Sequence, residues 1–362
     1  WEALLPNGTR SKVDRNDFTF ENEQGERIRP DFCYITIHGV PGENGILQGY
    51  LDLIGMPYST SDVLVEAMTY DKFVLNNYMR SLGVAVADSM LIRRGQEQDV
   101  SDEDIIQRVG LPCFVKPASG GSSFGTTKVK DASELRPAIN LALREGEDVM
   151  VEAFMKGTEI TCGCYKRANG DITTLPITEV VTSQEFFDYD AKYNGKVEEI
   201  TPARIDPETA RRVSETTRRI YQILNCYGII RIDYILSGEK GNEQINLLEI
   251  NTTPGMTVTS FIPQQVRAAG LEMKDVLSDT RGMLLWKEQK EDILEYIDSL
   301  SEEEKEQYKI AIRIVLLEIE LRSRTLSSRK FFRGRALFCY KMAYMKAHMP
   351  SEFEEYRQIL CK

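Results

Sequence analysis

The spacing of apolar and polar positions changes along the chain, and each change of period marks an element. From Asp31 to Ile37 (DFCYITI) an apolar run reads as a buried strand. It leads into HGVPGENGILQGYLDLIGMPYS, residues 38–59, where Pro41, Gly42, Asn44 and Gly45 make a loop and Ile46 to Ile54 has helical spacing. Strand, glycine-bearing loop and helix predict one unit of an open α/β domain, with ligands near the strand's C-terminal end. Residues 61–83 read as helical, with Gly83 as the stop.

A different pattern follows in PCFVKPASGGSSFGTTKVK, residues 112–130: a β-rich run, a Gly/Ser loop and a second short strand. Residues 133–145 take helical spacing, 149–155 (VMVEAFM) read as a strand, and 158–165 and 172–181 as further strands. A long arginine-rich helix is predicted over 207–226. IIRIDYIL (229–236) and INLLEIN (245–251) are strands joined by the polar, glycine-bearing turn SGEKGNEQ, which predicts a hairpin. From Glu288 the sequence is charged and helical; Ser301 and Glu304 have capping-box spacing, and an all-helical extension is expected.

Composition narrows the function. The 362 residues suffice for two or three domains, and 42% hydrophobic with 28% charged residues predicts a packed globular protein. A net charge of −11 argues against nucleic acid as the main partner, because phosphate-backbone binding rests on excess Lys and Arg. No stretch approaches the roughly 18 apolar residues of a membrane span. Seven scattered cysteines without a Cys-x-x-Cys pair suggest reduced thiols and a cytoplasmic location. Cys162 and Cys164 share a strand face, as small core residues or as a metal pair. Only two histidines, His38 and His348, are present, too few for most zinc sites or nucleophilic triads.

Three constellations carry chemistry. Arg231 and Asp233 lie two apart on one strand, as do Glu249 and Asn251 on the next, with Ile230, Ile232, Leu248 and Ile250 at the alternate positions. In a hairpin Asp233, Glu249 and Asn251 converge, and hard oxygen donors without His or Cys suit Mg²⁺. The competing reading is a solvated sheet face with an ion pair. Gly255, in the following TTPGMT loop, permits close backbone approach to a ligand. Lys116 followed by SGGSSFG (119–125) can wrap phosphate oxygens, or be a plain hairpin; it lacks the Gly-Lys-Ser/Thr of a Walker A loop. EFFDYDAKYNGK (185–196) reads as a lid carrying Lys192 and Tyr193, or as an ordinary surface loop.

Together these segments resemble the D-alanine–D-alanine ligase family of the ATP-grasp superfamily. The resemblance rests on HGVPGENGILQG, Asp71-Lys72, VKPASGGSSFG, DYDAKY followed by TPARI, RID, and LEINTTPGMT with Ser260, and spans residues 1 to about 280. It implies an α+β ATP-grasp fold within the α/β class. The parts would be a partial N-terminal open α/β domain (1–60), a central subdomain (61–153), a C-terminal catalytic subdomain with antiparallel sheet (154–282) and a helical extension (283–362). It implies ligation of two D-alanine molecules through an acyl phosphate, for peptidoglycan precursors.

By resemblance, Lys72 and Lys116 grip ATP phosphates, and Glu152, Phe154 and Glu159 line the adenine and ribose ends. Asp233, Glu249 and Asn251 hold two Mg²⁺ ions, with Mn²⁺ as a substitute. Arg231 and the Gly255 N–H stabilise the oxyanion, Ser260 and Phe261 receive the second substrate, and His38 lies near the first. Lys192 contacts the transferred phosphate as the lid closes, and Tyr193 bonds Ser122. Family habit adds a homodimer.

Two departures are expected to matter. Family members begin with a strand and a GG-x-S-x-E-type loop whose glutamate binds the first substrate's amine; Trp1 reads like the middle of that domain. The expectation is a chain that binds ATP better than it makes dipeptide. The helical tail exceeds the family's usual length, and no motif names a partner for it. Two alternatives stand beside the dipeptide ligase: a D-alanyl-D-lactate ligase, against which Tyr193 speaks, and a non-catalytic ATP-binding fragment.

Overall fold

A computed structural model of the chain describes residues 1–280, apart from 122, 123, 168 and 183–196. Trp1–Gly282 form one compact unit. The expected helical tail, with Ser122, Lys192 and Tyr193, lies outside the described residues.

Two small antiparallel ribbons open the fold, β1 (Glu2–Leu4) with β2 (Arg10–Lys12) and β3 (Phe20–Glu21) with β4 (Arg27–Ile28). The expected strand over 31–37 does not form. Its backbone bridges to the segment 57–59, through Cys33 N–H to Pro57 C=O at 2.8 Å and Ser59 N–H to Cys33 C=O at 3.1 Å. No strand flanks its other side among the described residues, so the ladder stops at an isolated bridge. Helix α1 (Ile46–Leu53) forms as the spacing predicts and buries Leu47, Gln48 and Leu51.

The helical stretch after Ser61 is two helices, α2 (Val63–Tyr70) and α3 (Lys72–Ser81). The chain bends at Asp71, whose carboxylate accepts from the Phe73 and Val74 N–H groups and so restarts the helix as an N-cap. Gly83 follows α3 with φ 74°, a conformation only glycine takes cheaply. Val65, Leu75 and Met79 of these helices pack in the same core cluster as Ile160, Ile230 and Ile232 of the larger sheet.

The smaller sheet has four antiparallel strands in the order β5-β8-β6-β7: β5 (Ser89–Arg93), β6 (Cys113–Pro117), β7 (Thr127–Val129) and β8 (Asp148–Ala153). Helices α4 (Asp102–Val109) and α5 (Leu135–Glu145) bring Ile105, Val109, Leu135 and Ile139 to its core.

The larger sheet runs β12-β11-β9-β13-β14, with β10 also on β9. Its strands are β9 (Thr158–Lys166), β10 (Ile172–Thr174), β11 (Thr178–Thr182), β12 (Val197–Ile200), β13 (Ile229–Ser237) and β14 (Gln244–Asn251). Helix α6 (Pro207–Leu224) starts on the Asp206 cap and ends at Asn225 in the left-handed conformation. It covers one face, where Ile160, Cys162, Cys164, Ile230, Ile232 and Ile250 meet Val213, Ile220 and Tyr221. Each fully buried aliphatic side chain there stabilises by about 1.5–3 kcal/mol. Cys162 and Cys164 are therefore core thiols, and burial pushes the Cys162 thiol up to about 12. On the opposite face α7 (Phe261–Ala268) and α8 (Met273–Thr280) cover one end through Ile262, Val266 and Val276.

Strand β14 has an irregularity that alternation does not predict. Leu248 is half-buried, and the β13–β14 register shifts between Asp233 and Tyr234, so that Tyr234 faces Leu247 while Asp233 faces Glu249. Leu248 is the extra residue of a β-bulge. Leu247 sits in the core before the bulge and Ile250 after it. Without the bulge, simple alternation from Leu247 would turn Glu249 and Asn251 into that core.

Candidate active site

The other end of the larger sheet's second face carries the polar residues. Cross-strand register places Asp233 opposite Glu249 on one side and Thr161 on the other, and Arg231 opposite Asn251 and Gly163. Glu159, two residues before Thr161 on β9, lies on the same face.

Asp233 is the hub of this face and is itself buried. Its Oδ1 accepts from Arg231 Nε at 2.9 Å and from Thr161 Oγ1 at 2.5 Å. Its Oδ2 accepts from Arg231 Nη2 at 2.7 Å and from Asn251 Nδ2 at 3.1 Å. Burial alone would lower the Arg231 pKa; the Asp233 carboxylate, then Glu249 and Glu159, outweigh it and hold the guanidinium charged. The same guanidinium carbon stands 5.0 Å from the Phe261 ring centroid.

The cations expected at the phosphates come from two other elements. Lys72, at the start of α3, donates its Nζ to the Gly120 carbonyl, and its backbone N–H to Ala118 C=O at 2.8 Å, tying the helix to the Gly/Ser loop. Burial lowers the Lys72 pKa; Glu249 raises it and Lys116 lowers it further, so these groups share one electrostatic neighbourhood. Lys116 on β6 is paired with the buried Glu152 of β8. Phe154 lies 5.8 Å from Phe114, ring to ring, with Lys128 Nζ 4.0 Å over its centroid.

Past β14 the chain turns through Thr252–Gly255 to Ser260, the N-cap position of α7. A Cβ on Gly255 would lie 2.7 Å from Ser260 Oγ, so any side chain there would have to displace the Ser260 hydroxyl. His38 is exposed, its Nδ1 3.9 Å from Glu43 Oε1. The structure thus brings Arg231, Asp233, Glu249 and Asn251 to one sheet face and Gly255 beside Ser260, while Lys116 and Glu152 stand on the smaller sheet and Phe154 directly follows β8.

Four residues escaped the sequence reading. Thr161 braces Asp233, a role no motif announces. Glu43 takes the Gly39 N–H at 2.6 Å and has its carboxyl raised by burial, with Glu249 adding to the effect. Glu66 is fully buried on α2; its Oε2 accepts from Thr252 Oγ1 at 2.6 Å, and burial pushes its carboxyl up to about 8. A carboxylate among the apolar residues of VLVEAMTY was the signal available for it. Gln265, equally buried, interrupts the apolar face of α7.

Oxygen donors alone meet at Asp233, Glu249 and Asn251. Among the described residues no group of three His, Cys, Asp or Glu side chains is close enough to hold a metal. Two carboxylates and one amide oxygen fit a hard divalent cation that takes its remaining ligands from phosphate and water, and do not fit a metal needing a full protein cage.

Comparison with known proteins decides the family. Residues 78–280 match the family described as D-ala D-ala ligase C-terminus. The chain belongs to the D-alanine–D-alanine ligase family. It is 60% identical over 279 residues to the D-alanine–D-alanine ligase of Phocaeicola vulgatus, covering 77% of this chain and 84% of the relative. The Porphyromonas gingivalis W83 enzyme of the same name is 55% identical over 278 residues, covering 76% and 82%. Among solved structures, the VanG D-Ala:D-Ser ligase from Enterococcus faecalis superposes with a TM-score of 0.66 at 32% identity, over 75% of this chain and 78% of that one. The Bacillus anthracis D-alanine–D-alanine ligase gives 0.59 at 30%, over 72% and 82%. The ATP-grasp α+β fold expected from the motifs is the fold observed. Among the described residues no helix is long and apolar enough to cross a membrane.

Proposed function

We propose that this chain joins two D-alanine molecules at the expense of ATP, for peptidoglycan precursors. The γ-phosphoryl group passes to a carboxylate oxygen of the first D-alanine, giving ADP and an acyl phosphate. The amine of the second attacks the acyl carbon, loses a proton, and phosphate leaves with the C–O bond. One observation carries the reading: the cross-strand placement of Asp233 with Glu249 and of Arg231 with Asn251, on the sheet face that ends at Gly255 and Ser260.

The residues divide the work by their chemistry. Lys72 and Lys116 bind ATP phosphates; Glu152, Phe154 and Glu159 line the nucleotide's base and sugar. Asp233, Glu249 and Asn251 would hold two Mg²⁺ ions, with Mn²⁺ as a substitute, and a bound metal would supply neutralisation of charge on the transferring phosphoryl group. Arg231, held charged by the Asp233 carboxylate in spite of burial, and the Gly255 N–H stabilise the tetrahedral oxyanion. Ser260 and Phe261 receive the second D-alanine, and His38 stands near the first. Lys192, Tyr193 and Ser122 complete the reading as lid and latch. A cytoplasmic homodimer belongs to the same reading.

The test is ADP release with D-alanine alone, then with D-lactate or D-serine added as acceptor at several pH values, with the products identified. D-Alanyl-D-alanine as the main product is expected at neutral pH. A preference for D-lactate would move the chain to the depsipeptide-forming class. ADP release that does not depend on D-alanine would overturn the reading.

A further inference from the structure

We propose that Gln265 is a positioning residue for the acceptor half of the site: its amide stands in for a missing strand residue and locks the Ser260 helix to the strand that braces Asp233. This rests on the reading of Ser260 as the acceptor contact.

The gap it fills is visible in the register. On one side β9 pairs with β11 up to Thr161↔Thr178, and with β10 from Cys164↔Thr174 onward. Between them the chain detours through Leu175–Ile177, and Pro176 has no N–H to offer. Leu175 N–H still reaches Gly163 C=O at 2.8 Å, but the ladder provides no acceptor for Gly163 N–H. The Gln265 side chain supplies it. Its Oε1 accepts from Gly163 N–H at 2.8 Å, and its Nε2 donates to Thr161 C=O at 3.1 Å and to Thr178 Oγ1 at 3.1 Å. A primary amide has the donor and acceptor of a peptide group, which is why it suits this place.

Three further contacts give the clamp a functional address. Gln265 lies on α7, five residues after Ser260 and four after Phe261, which packs under the Arg231 guanidinium. Thr161, whose carbonyl Gln265 binds, donates its own hydroxyl to Asp233. Gly163 makes the close approach feasible: a Cβ there would lie 2.5 Å from Ile262 Cδ1 and 2.6 Å from Gln265 Oε1. The distance between the acceptor's carboxylate contact and the phosphoryl-transfer residues is thus set through one buried amide.

The experiment compares Gln265→Leu, Gln265→Asn and Ser260→Ala in the full chain by bisubstrate kinetics and Mg-ATP binding. Leucine fills the space and leaves Gly163 N–H and Thr161 C=O without this partner. Gln265→Leu is expected to raise the acceptor D-alanine KM at least about tenfold, with the donor KM and the Mg-ATP Kd within about twofold. Gln265→Asn keeps the amide on a shorter arm and is expected to fall between wild type and leucine; it carries the test if the leucine variant does not fold. A role in stability alone would lower the melting temperature and leave the acceptor-to-donor KM ratio unchanged, and that result overturns the proposal. If Ser260→Ala leaves the acceptor KM unchanged, the reading of Ser260 fails; if Ser260→Ala raises it and neither Gln265 variant does, the clamp fails and the reading stands.

Discussion

Asp233 and Glu249 face each other across one pair of strands, yet their surroundings make them unequal under mutation. Asp233 accepts four hydrogen bonds and neutralises a buried guanidinium. Replacing it with alanine strands Arg231 without its counter-charge, at a cost of about 3–5 kcal/mol, so Asp233→Ala is expected to lose stability as well as activity. Among the described residues Glu249 has no such hydrogen-bond network, and Glu249→Gln keeps its shape. We expect a normal melting temperature with at least about a hundredfold lower turnover. Near-normal ADP release by Glu249→Gln would remove Glu249 from the metal site. At Glu66 the expected effect is on stability. Its carboxyl is raised from 4.5 to about 8 by burial, so the folded state keeps a proton that the unfolded state releases. Stability therefore falls as pH rises from about 4.5 to about 8 and levels off above. Glu66→Gln retains an acceptor for Thr252 without titrating, and is expected to be more stable than the parent by about 1–3 kcal/mol at pH 8, with no advantage at pH 4. Denaturant titrations at both pH values check this; an equal difference at the two would refute it.

Helix α3 shows how an element delivers a functional side chain. Asp71 ends α2, caps α3 with two backbone N–H groups, and bridges to Ser119 of the Gly/Ser loop. Lys72 is the first residue it places. Asp71→Ala should cost about 1 kcal/mol as a lost N-cap and, by loosening Lys72, weaken Mg-ATP binding by more than that stability loss alone explains. Urea unfolding with nucleotide titration separates the two effects; unchanged Mg-ATP affinity would show that Lys72 does not depend on the cap. The motif was legible in the sequence as an adjacent Asp and Lys, but the break between two helices was not. Apolar spacing continues through residues 61–83, and the bend shows only in the Asp71 cap, its bridge to Ser119 and the Lys72 N–H bond to Ala118 C=O. The strand expected over 31–37 failed for the opposite reason: its apolar composition was right, but a strand needs a neighbour along its whole length.

On the scale of the whole chain, every residue assigned to the site precedes Gly282, and Trp1–Gly282 form one compact unit. Cutting after Gly282 should leave Mg-ATP binding intact, with heat stabilisation by Mg-ATP as the measure. The cut must not fall earlier, because Val276 of α8 is in the core with Ile262 and Val266. Loss of Mg-ATP stabilisation after this truncation would make the remaining residues part of the binding body.

The sequence alone determined the local chemistry and its order along the chain. Alternation in IIRIDYIL and INLLEIN, with a glycine-bearing turn between, was enough to predict the hairpin and to bring Asp233, Glu249 and Asn251 together, because strand periodicity is a local property. What the tertiary structure decided was which face each residue shows and what holds it there. Strict alternation from Leu247 would have buried Glu249; a single bulge at Leu248 reverses this, and a bulge depends on the partner strand. Thr161 and Gln265 could not be read as site residues for the same reason. Their partners lie 72 and 87–104 residues away, and no local pattern records a hydrogen bond across that distance.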